Sequence, residues 1–464
     1  MAADSLKFGT SGLRGLVADL KGAASRRYAL AFIDYLKSRG EAVDGGIILV
    51  GRDLRDSSPV IAASVIGAVL HAGLKPVDCG ALPTPALALE SMRRGVPAIM
   101  VTGSHIPADR NGLKFYTARG EIEKDDEAGI LAALGSAEFA DAELGEADGS
   151  VLARYKERYA GLLPADALKG RTIGIYQHSS VMRDLLVSAL QRFGAGTVAL
   201  GRSDTFVPVD TEALSDADIA QASKWAREHK LDALVSTDGD ADRPLVADET
   251  GAFIRGDVVG LLTAQFLAAD ALVTPVTSNS AIEATMPGAK VVRTKVGSPY
   301  VIAGMAEAAG MGAKRVVGFE ANGGVLLGSD VPEKGLVALP TRDALLPILA
   351  VLGLAQGKSL SLVVGALPPR FARSGRLEHV LAEKSAAFVA FLSRNAGGFF
   401  KPVGKVQSIS ETDGLRFTLA SGEIVHFRPS GNAPELRCYT EAATPERADE
   451  LLEWGLEAAK AEVK

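Results

Sequence analysis

Short runs of β-branched and aliphatic residues alternate with amphipathic stretches through most of the chain. Ile47-Ile48-Leu49-Val50 reads as a buried strand, residues 59–72 as the helix after it, and Ala98-Ile99-Met100-Val101 as a further strand. This rhythm predicts an α/β class with largely parallel sheets. It recurs three times. The first unit runs from Gly46 to about residue 150 and ends a strand in Thr102-Gly103-Ser104-His105. The second opens at Thr172-Ile173-Gly174-Ile175-Tyr176 and passes through Ala233-Leu234-Val235-Ser236 to Asp238-Gly239-Asp240. The third opens at Leu272-Val273-Thr274-Pro275-Val276 and ends in Arg315-Val316-Val317-Gly318 followed by Glu320-Ala321-Asn322-Gly323. Repeated units place equivalent loops at equivalent positions. In open α/β sheets ligands sit at the carboxyl ends of strands, so three such loops are expected to meet at one cleft.

From about Leu367 the pattern changes to alternation, as in Gly414-Leu415-Arg416-Phe417-Thr418-Leu419 and Ile424-Val425-His426-Phe427. A long final helix over 445–464 carries Leu451, Leu452, Trp454, Leu456 and Ala459 on its apolar side. The expected architecture is three related α/β domains around a central cleft plus a C-terminal α+β domain. The expected limits are residues 1–150, 151–256, 257–366 and 367–464. No low-complexity linker separates the units, so packed interfaces are expected.

Composition narrows the function classes. A chain of 464 residues exceeds one ordinary core, and 47% hydrophobic with 23% charged residues is a globular balance. Fifty Lys+Arg against 56 Asp+Glu leave a net charge of −6 with no basic block, which argues against general nucleic-acid binding. An anion must then be gripped locally by a few placed arginines or backbone N–H groups. Cys79 and Cys438 are the only cysteines, which excludes a disulfide framework and a cysteine zinc site and makes a reducing cytoplasm the default. The first twenty residues lack the apolar core of a signal peptide, and apolar stretches such as 344–354 are too short for a bilayer. No membrane partner is expected.

Five loops carry candidate chemistry. Thr102-Gly103-Ser104-His105-Ile106-Pro107, followed by Asn111-Gly112-Leu113-Lys114, presents a serine on a glycine-flanked turn, which suits an exposed nucleophile. The spacing of a hydrolase elbow is absent. Asp238-Gly239-Asp240-Ala241-Asp242-Arg243 sets three carboxylates at every second position, where they can converge on one hard cation such as Mg²⁺. Gly318-Phe319-Glu320-Ala321-Asn322-Gly323-Gly324 offers a carboxylate and an amide for hydroxyl recognition. Arg428-Pro429-Ser430-Gly431-Asn432-Ala433-Pro434-Glu435-Leu436-Arg437 brackets a turn with two guanidinium forks, a pattern for phosphate. Phe8-Gly9-Thr10-Ser11-Gly12-Leu13-Arg14-Gly15 is a further anion-facing turn. Each loop alone is also compatible with an ordinary polar turn.

Taken together and in this order, the five segments resemble the α-D-phosphohexomutase superfamily, bacterial phosphomannomutase/phosphoglucomutase type, over essentially the whole chain. The resemblance implies a mutase that interconverts hexose 6-phosphate and hexose 1-phosphate through a phosphoserine and a hexose 1,6-bisphosphate. It implies that Ser104 is the phosphoserine and that Asp238, Asp240 and Asp242 hold Mg²⁺ together with the Ser104 phosphoryl oxygen. Glu320 and Asn322 would read sugar hydroxyls. Arg428, Ser430, Gly431, Asn432 and Arg437 would bind the non-reacting phosphate. Arg14, His105, Lys114 and Arg243 match positions around the phosphoserine, with Lys114, its pKa lowered by other cations, as general acid/base. The chain departs from the family pattern at Gly103, where Ala is usual, and at Ile106-Pro107, where Asn-Pro is usual. Phe319-Glu320-Ala321-Asn322-Gly323-Gly324 stands where Gly-Glu-x-Ser-Gly-His is common, and Lys295-Val296-Gly297-Ser298 lacks a His found in some members. These departures bear on the choice among mannose, glucose and glucosamine. The rival readings are a phosphoglucosamine mutase, a metal-dependent sugar-phosphate phosphatase and a non-catalytic binder. A hinge near Ala366-Leu367-Pro368-Pro369 is expected to swing the terminal domain over the cleft.

Overall fold

The computed structural model describes residues 5–9, 12–42, 45–430 and 434–463. The three repeats are visible as one four-strand pattern used three times. In the first unit the strand Ile47–Arg52 pairs in parallel with Lys75–Ala81 on one side and Ala98–Val101 on the other. In the second, Thr172–His178 pairs in parallel with Gly196–Arg202 and with Ala233–Thr237. In the third, Ala271–Pro275 pairs in parallel with Lys290–Thr294 and Val316–Phe319. Helices such as Ser58–His71, Arg183–Arg192 and Ser298–Gly310 cross over between them.

The sheets are mixed rather than largely parallel. In every unit the strand that delivers the polar loop turns back into an antiparallel neighbour. These neighbours are Arg110–Thr117, Pro244–Ala247 and Val325–Leu327. The motif loops are therefore hairpin connections and not strand-to-helix turns. The physical cause is the apolar run after each motif: Leu113, Phe115 and Tyr116, then Leu245 and Val246, then Val325 and Leu326 are all buried. A strand added to the existing sheet buries these side chains and pairs their backbone groups.

The terminal unit is a five-stranded antiparallel sheet. Phe371–Glu378 lies at one edge, followed by Glu435–Ala442, Ile424–Pro429, Leu415–Leu419 and Val406–Ser410. The helices Ala382–Phe399 and Pro445–Glu462 pack against it. Its core is its own: Phe388, Leu392, Phe400, Phe417, Phe427 and Leu451 form a cluster that includes no residue of the other units. Specific polar contacts dock this unit on the third. Asp413 accepts from the Val296 backbone at 3.1 Å, Glu441 accepts from Ser280 N at 2.9 Å and from its hydroxyl, and Asn279 donates to the Arg370 carbonyl at 2.9 Å.

Candidate active site

Ser104 sits in the loop between Ala98–Val101 and Arg110–Thr117. Its backbone has φ 53°, a left-handed conformation unusual for a residue with a side chain. A buried arginine holds it there. The Arg55 guanidinium donates to the carbonyls of Ser104 (2.9 Å), Ile106 (2.6 Å), Pro107 (2.8 Å) and Arg110 (2.9 Å), and pairs with Asp53 at 3.2 Å. Gly103 permits this approach, since a Cβ there would stand 2.6 Å from Arg55 Cζ. Sequence reasoning missed Arg55. The available signal was the pair Asp53-x-Arg55 directly after the strand Ile47–Arg52.

The serine is not exposed as expected. It is wholly buried, and its hydroxyl donates to Asp238 Oδ2 at 2.6 Å across the boundary between the first two units. The hairpin geometry aims the loop at the second unit instead of at solvent. His105 Nδ1 lies 3.3 Å from the same oxygen. Burial, then Arg243 and Arg14, push the His105 pKa down to about 2, so the ring is neutral.

Asp238, Asp240 and Asp242 each offer an oxygen within 4.8 Å of the others. Ala241 takes φ 58° to close the turn. Asp238 Oδ1 accepts from the Asp242 and Arg243 amides at 3.2 Å. Asp240 Oδ2 accepts from Lys114 Nζ and Thr84 Oγ1, both at 2.6 Å, and Asp242 Oδ2 accepts from Lys114 Nζ at 2.6 Å and Arg342 Nη2 at 2.8 Å. Asp240 Oδ1 and Asp242 Oδ1 are buried and have no hydrogen-bond partner. Burial and repulsion from Asp240 and Asp242 raise the Asp238 pKa. Burial works against the Asp242 charge too, but Arg342, Lys114 and Arg243 outweigh it and hold that pKa well below the usual range. Three hard oxygen donors with two bare buried oxygens fit a divalent cation.

Lys114 corrects a second expectation. Burial favours its neutral form, yet Asp240 and Asp242 prevail and raise its pKa. It is a cation here, so it gives a proton before it can take one. The neighbouring cation Arg342 lowers it but does not dominate, because the two carboxylates stand at hydrogen-bond distance.

Glu320 and Asn322 reach the same place from the third unit, in the turn between Val316–Phe319 and Val325–Leu327. Both line the cleft. Asn322 Oδ1 accepts from the Gly324 amide at 2.9 Å, so half of this side chain holds its own loop. Arg342, on the strand Leu339–Asp343, bridges Asp242 and Glu320, the latter at 3.1 Å. Sequence reasoning missed it as well. Its signal was a charged Thr-Arg-Asp step ahead of the apolar helix Leu345–Ala355.

Arg428, Ser430 and Arg437 line the opposite wall, while Gly431 and Asn432 lie outside the described residues. Arg428 stands directly opposite Arg437 in the sheet, and Arg437 opposite Arg376. Like charges in a cross-strand row repel unless an anion is shared. Asp413, 3.5 Å from Arg428, Glu435, 3.3 Å from Arg437, and Glu378, 2.9 Å from Arg376, flank the row with countercharge. Arg14 and Arg243 complete the cationic lining. Burial, then Arg243 and Arg342, lower the Arg14 pKa to about 10. The cleft has a volume of about 930 Å³ and draws residues from all four units.

Four family models cover the chain in order. They are described as phosphoglucomutase/phosphomannomutase alpha/beta/alpha domains I, II and III, over residues 5–141, 153–251 and 255–371, and the C-terminal domain, over 379–454. The chain belongs to the phosphoglucomutase/phosphomannomutase family. A phosphomannomutase of Sinorhizobium fredii (strain NBRC 101917 / NGR234) is 53% identical over 97% of this chain and 98% of its own. A phosphomannomutase of Salmonella muenchen is 45% identical over 97% and 94%. The fold matches the crystal structure of a phosphoglucomutase/phosphomannomutase family protein from Burkholderia thailandensis with a TM-score of 0.77 at 21% identity, covering 100% of this chain and 98% of that one. The four-domain α/β architecture expected from the sequence is that of the family. Among the described residues no helix is long and apolar enough to cross a membrane.

Proposed function

We propose that this chain interconverts hexose 6-phosphate and hexose 1-phosphate, with mannose as the preferred hexose, through phospho-Ser104 and a hexose 1,6-bisphosphate. The observation that carries the reading is the Ser104 hydroxyl 2.6 Å from the Asp238 carboxylate, beside a triad of aspartates whose neighbours His105, Arg243 and Arg342 line the four-domain cleft. Mannose follows the names of the two relatives described above, and the domain limits 150, 256 and 366 go with the same reading.

Asp238, Asp240 and Asp242 would hold Mg²⁺, which when bound supplies positive charge for the oxygens of the transferring phosphoryl group. The chain's own residues do the rest. A free sugar hydroxyl attacks the phosphorus of phospho-Ser104, and its proton passes to an oxygen of the transferring phosphoryl group. The bond from phosphorus to Ser104 Oγ breaks, and Lys114, held charged by two carboxylates, gives the serine its proton. Having lost that proton, Lys114 takes the serine's when Ser104 attacks the other phosphate of the bisphosphate, and the departing sugar oxygen takes a proton back from a phosphoryl oxygen. Arg243 and Arg14 balance charge on the phosphoryl oxygens. Glu320 and Asn322 hold sugar hydroxyls in either orientation. Arg428, Ser430, Gly431, Asn432 and Arg437 hold the phosphate that is not reacting, and such a nest reads phosphate rather than sugar. The cleft lies at the upper end of the ~300–1,000 Å³ usual for small-ligand sites, which suits a bisphosphate that must turn without leaving.

Mass analysis of the purified protein tests the reading, together with assays on mannose, glucose and glucosamine 1-phosphates. Phosphate on Ser104 and conversion of mannose 1-phosphate to the 6-phosphate are expected. Ser104→Ala should lower turnover by several orders of magnitude without unfolding the chain. An active Ser104→Ala variant, or release of inorganic phosphate as the main product, would refute it.

A further inference from the structure

Three consecutive residues of the strand Leu339–Asp343 tie the molecule together. Thr341 Oγ1 donates to Glu121 of the first unit at 2.6 Å. Asp343 accepts from Tyr155 at 2.6 Å, on the helix Ser150–Arg158, and from Tyr159 directly after it. Between them, Arg342 reaches Asp242 of the second unit with Nε at 3.2 Å and Nη2 at 2.8 Å, and Glu320 of the third with Nη1 at 3.1 Å. Arg342 is 2% exposed, borders the cleft, and is fixed by its neighbours on either side.

Two features show that this placement is specific. Both contacts use a single oxygen: Asp242 Oδ2, leaving Oδ1 without a hydrogen bond and 3.7 Å from Arg243 Nε, and Glu320 Oε2, which Asn322 also approaches at 3.4 Å. The stem of Arg342 also occupies the room where a side chain at 324 would begin. A Cβ on Gly324 would stand 2.5 Å from Arg342 Cδ and 2.7 Å from Cγ. The bare glycine and the arginine are two halves of one arrangement.

We infer that Arg342 is a positioning residue that couples sugar recognition to the phosphoryl site and sets hexose selectivity. It holds Glu320 by one oxygen, so a sugar hydroxyl meets the other oxygen in one fixed direction. It holds Asp242 at the same time, so a misplaced sugar that pulls on Glu320 also disturbs the aspartate triad. A rigid, forked cation can do both, whereas an ammonium group is a single point that can satisfy one carboxylate well. The inference rests on the mutase reading above.

The test compares wild type, Arg342→Lys and Gly324→Ala on mannose 1-phosphate and glucose 1-phosphate, with thermal melting of each. A wild type that turns over neither sugar refutes the mutase reading, whatever the variants do. Given an active wild type, Arg342→Lys should change the ratio of kcat/KM between the two sugars at least tenfold, with the loss greater on the preferred sugar. Gly324→Ala, which adds one methyl against the arginine stem, should move the ratio in the same direction by a smaller factor. Should Arg342→Lys fail to fold, Gly324→Ala alone decides. A ratio within twofold of wild type in the folded variants, even with lowered turnover, would reduce Arg342 to a structural ion pair and overturn the inference.

Discussion

The Arg55 guanidinium carbon lies 3.8 Å from the centroid of the Phe206 ring. Arg55 belongs to the first unit and grips four carbonyls of the serine loop, while Phe206 belongs to the second. The loop that carries Ser104 is thus held to its own unit by hydrogen bonds and registered against the metal-loop unit by a stacked ring. Arg55→Lys removes the fork. Because breaking a buried pair typically costs about 3–5 kcal/mol, a marked fall in melting temperature is expected, with turnover lost alongside it. Phe206→Leu removes only the stacking, worth about 1–2 kcal/mol, and should lower turnover more than stability. Melting curves and kcat for both variants check this. A Phe206→Leu enzyme with wild-type kcat would show that the ring plays no part in alignment.

Asp240 has one oxygen committed to Lys114 and Thr84 and the other bare. Asp240→Asn should weaken Mg²⁺ binding by tenfold or more in titration calorimetry and lower turnover with it, since one ligand charge is lost. Parent activity that survives exhaustive chelation would contradict the metal site.

Arg437 faces Arg428 across the sheet and is only partly neutralised by Glu435. A charge-assisted phosphate contact is worth roughly 1.5–3 kcal/mol. Arg437→Ala should therefore raise KM for hexose phosphates about tenfold or more, with a smaller effect on kcat. An unchanged KM would place the substrate phosphate elsewhere.

His426 packs against Tyr439 and bonds to the Asp413 carbonyl at 2.6 Å, and burial lowers its pKa to about 4. Unfolded histidine titrates near 6.5. The buried neutral ring therefore costs nothing above pH 6.5. As pH falls toward 4 the unfolded chain takes the proton first, and stability is lost, by up to about 3 kcal/mol. Denaturant melts at pH 7.5 and 4.5 should show a smaller pH effect for His426→Gln than for the parent. Equal slopes would assign the acid sensitivity to other groups.

The terminal unit has its own core and meets the third unit through few polar contacts, among them Asp413 with Val296 and Glu441 with Ser280. A unit of that kind can rotate as a rigid body about the residues beside Pro368 and Pro369. Small-angle scattering with a bound hexose bisphosphate should give a smaller radius of gyration than without it. Superimposable profiles would rule out closure as the means of keeping water from the intermediate.

The order of buried strands and polar loops was legible in the residues alone, because a strand buried on both faces must be a continuous apolar run and the loop after it must be polar. Asp238, Asp240 and Asp242 were legible for the same kind of reason: three carboxylates crowded into one turn have few uses besides a cation. The direction of the chain after each loop was not, since an apolar run such as residues 244–247 fits a parallel or an antiparallel strand equally well. That direction turned Ser104 inward onto Asp238. Arg55 and Arg342 were not legible either. Each acts through partners 49 to 55 or 22 to 100 residues away in the chain, as the distances to Ser104, Arg110, Glu320 and Asp242 record. The charge of Lys114 was also decided in three dimensions, because two carboxylates from another unit outweigh burial and the neighbouring Arg342. The residue types of the site follow from local chemistry, which the chain displays directly. Their exposure, protonation and mutual distances follow from how separate units pack, because burial and Coulomb energy depend on spatial separation and not on spacing along the backbone.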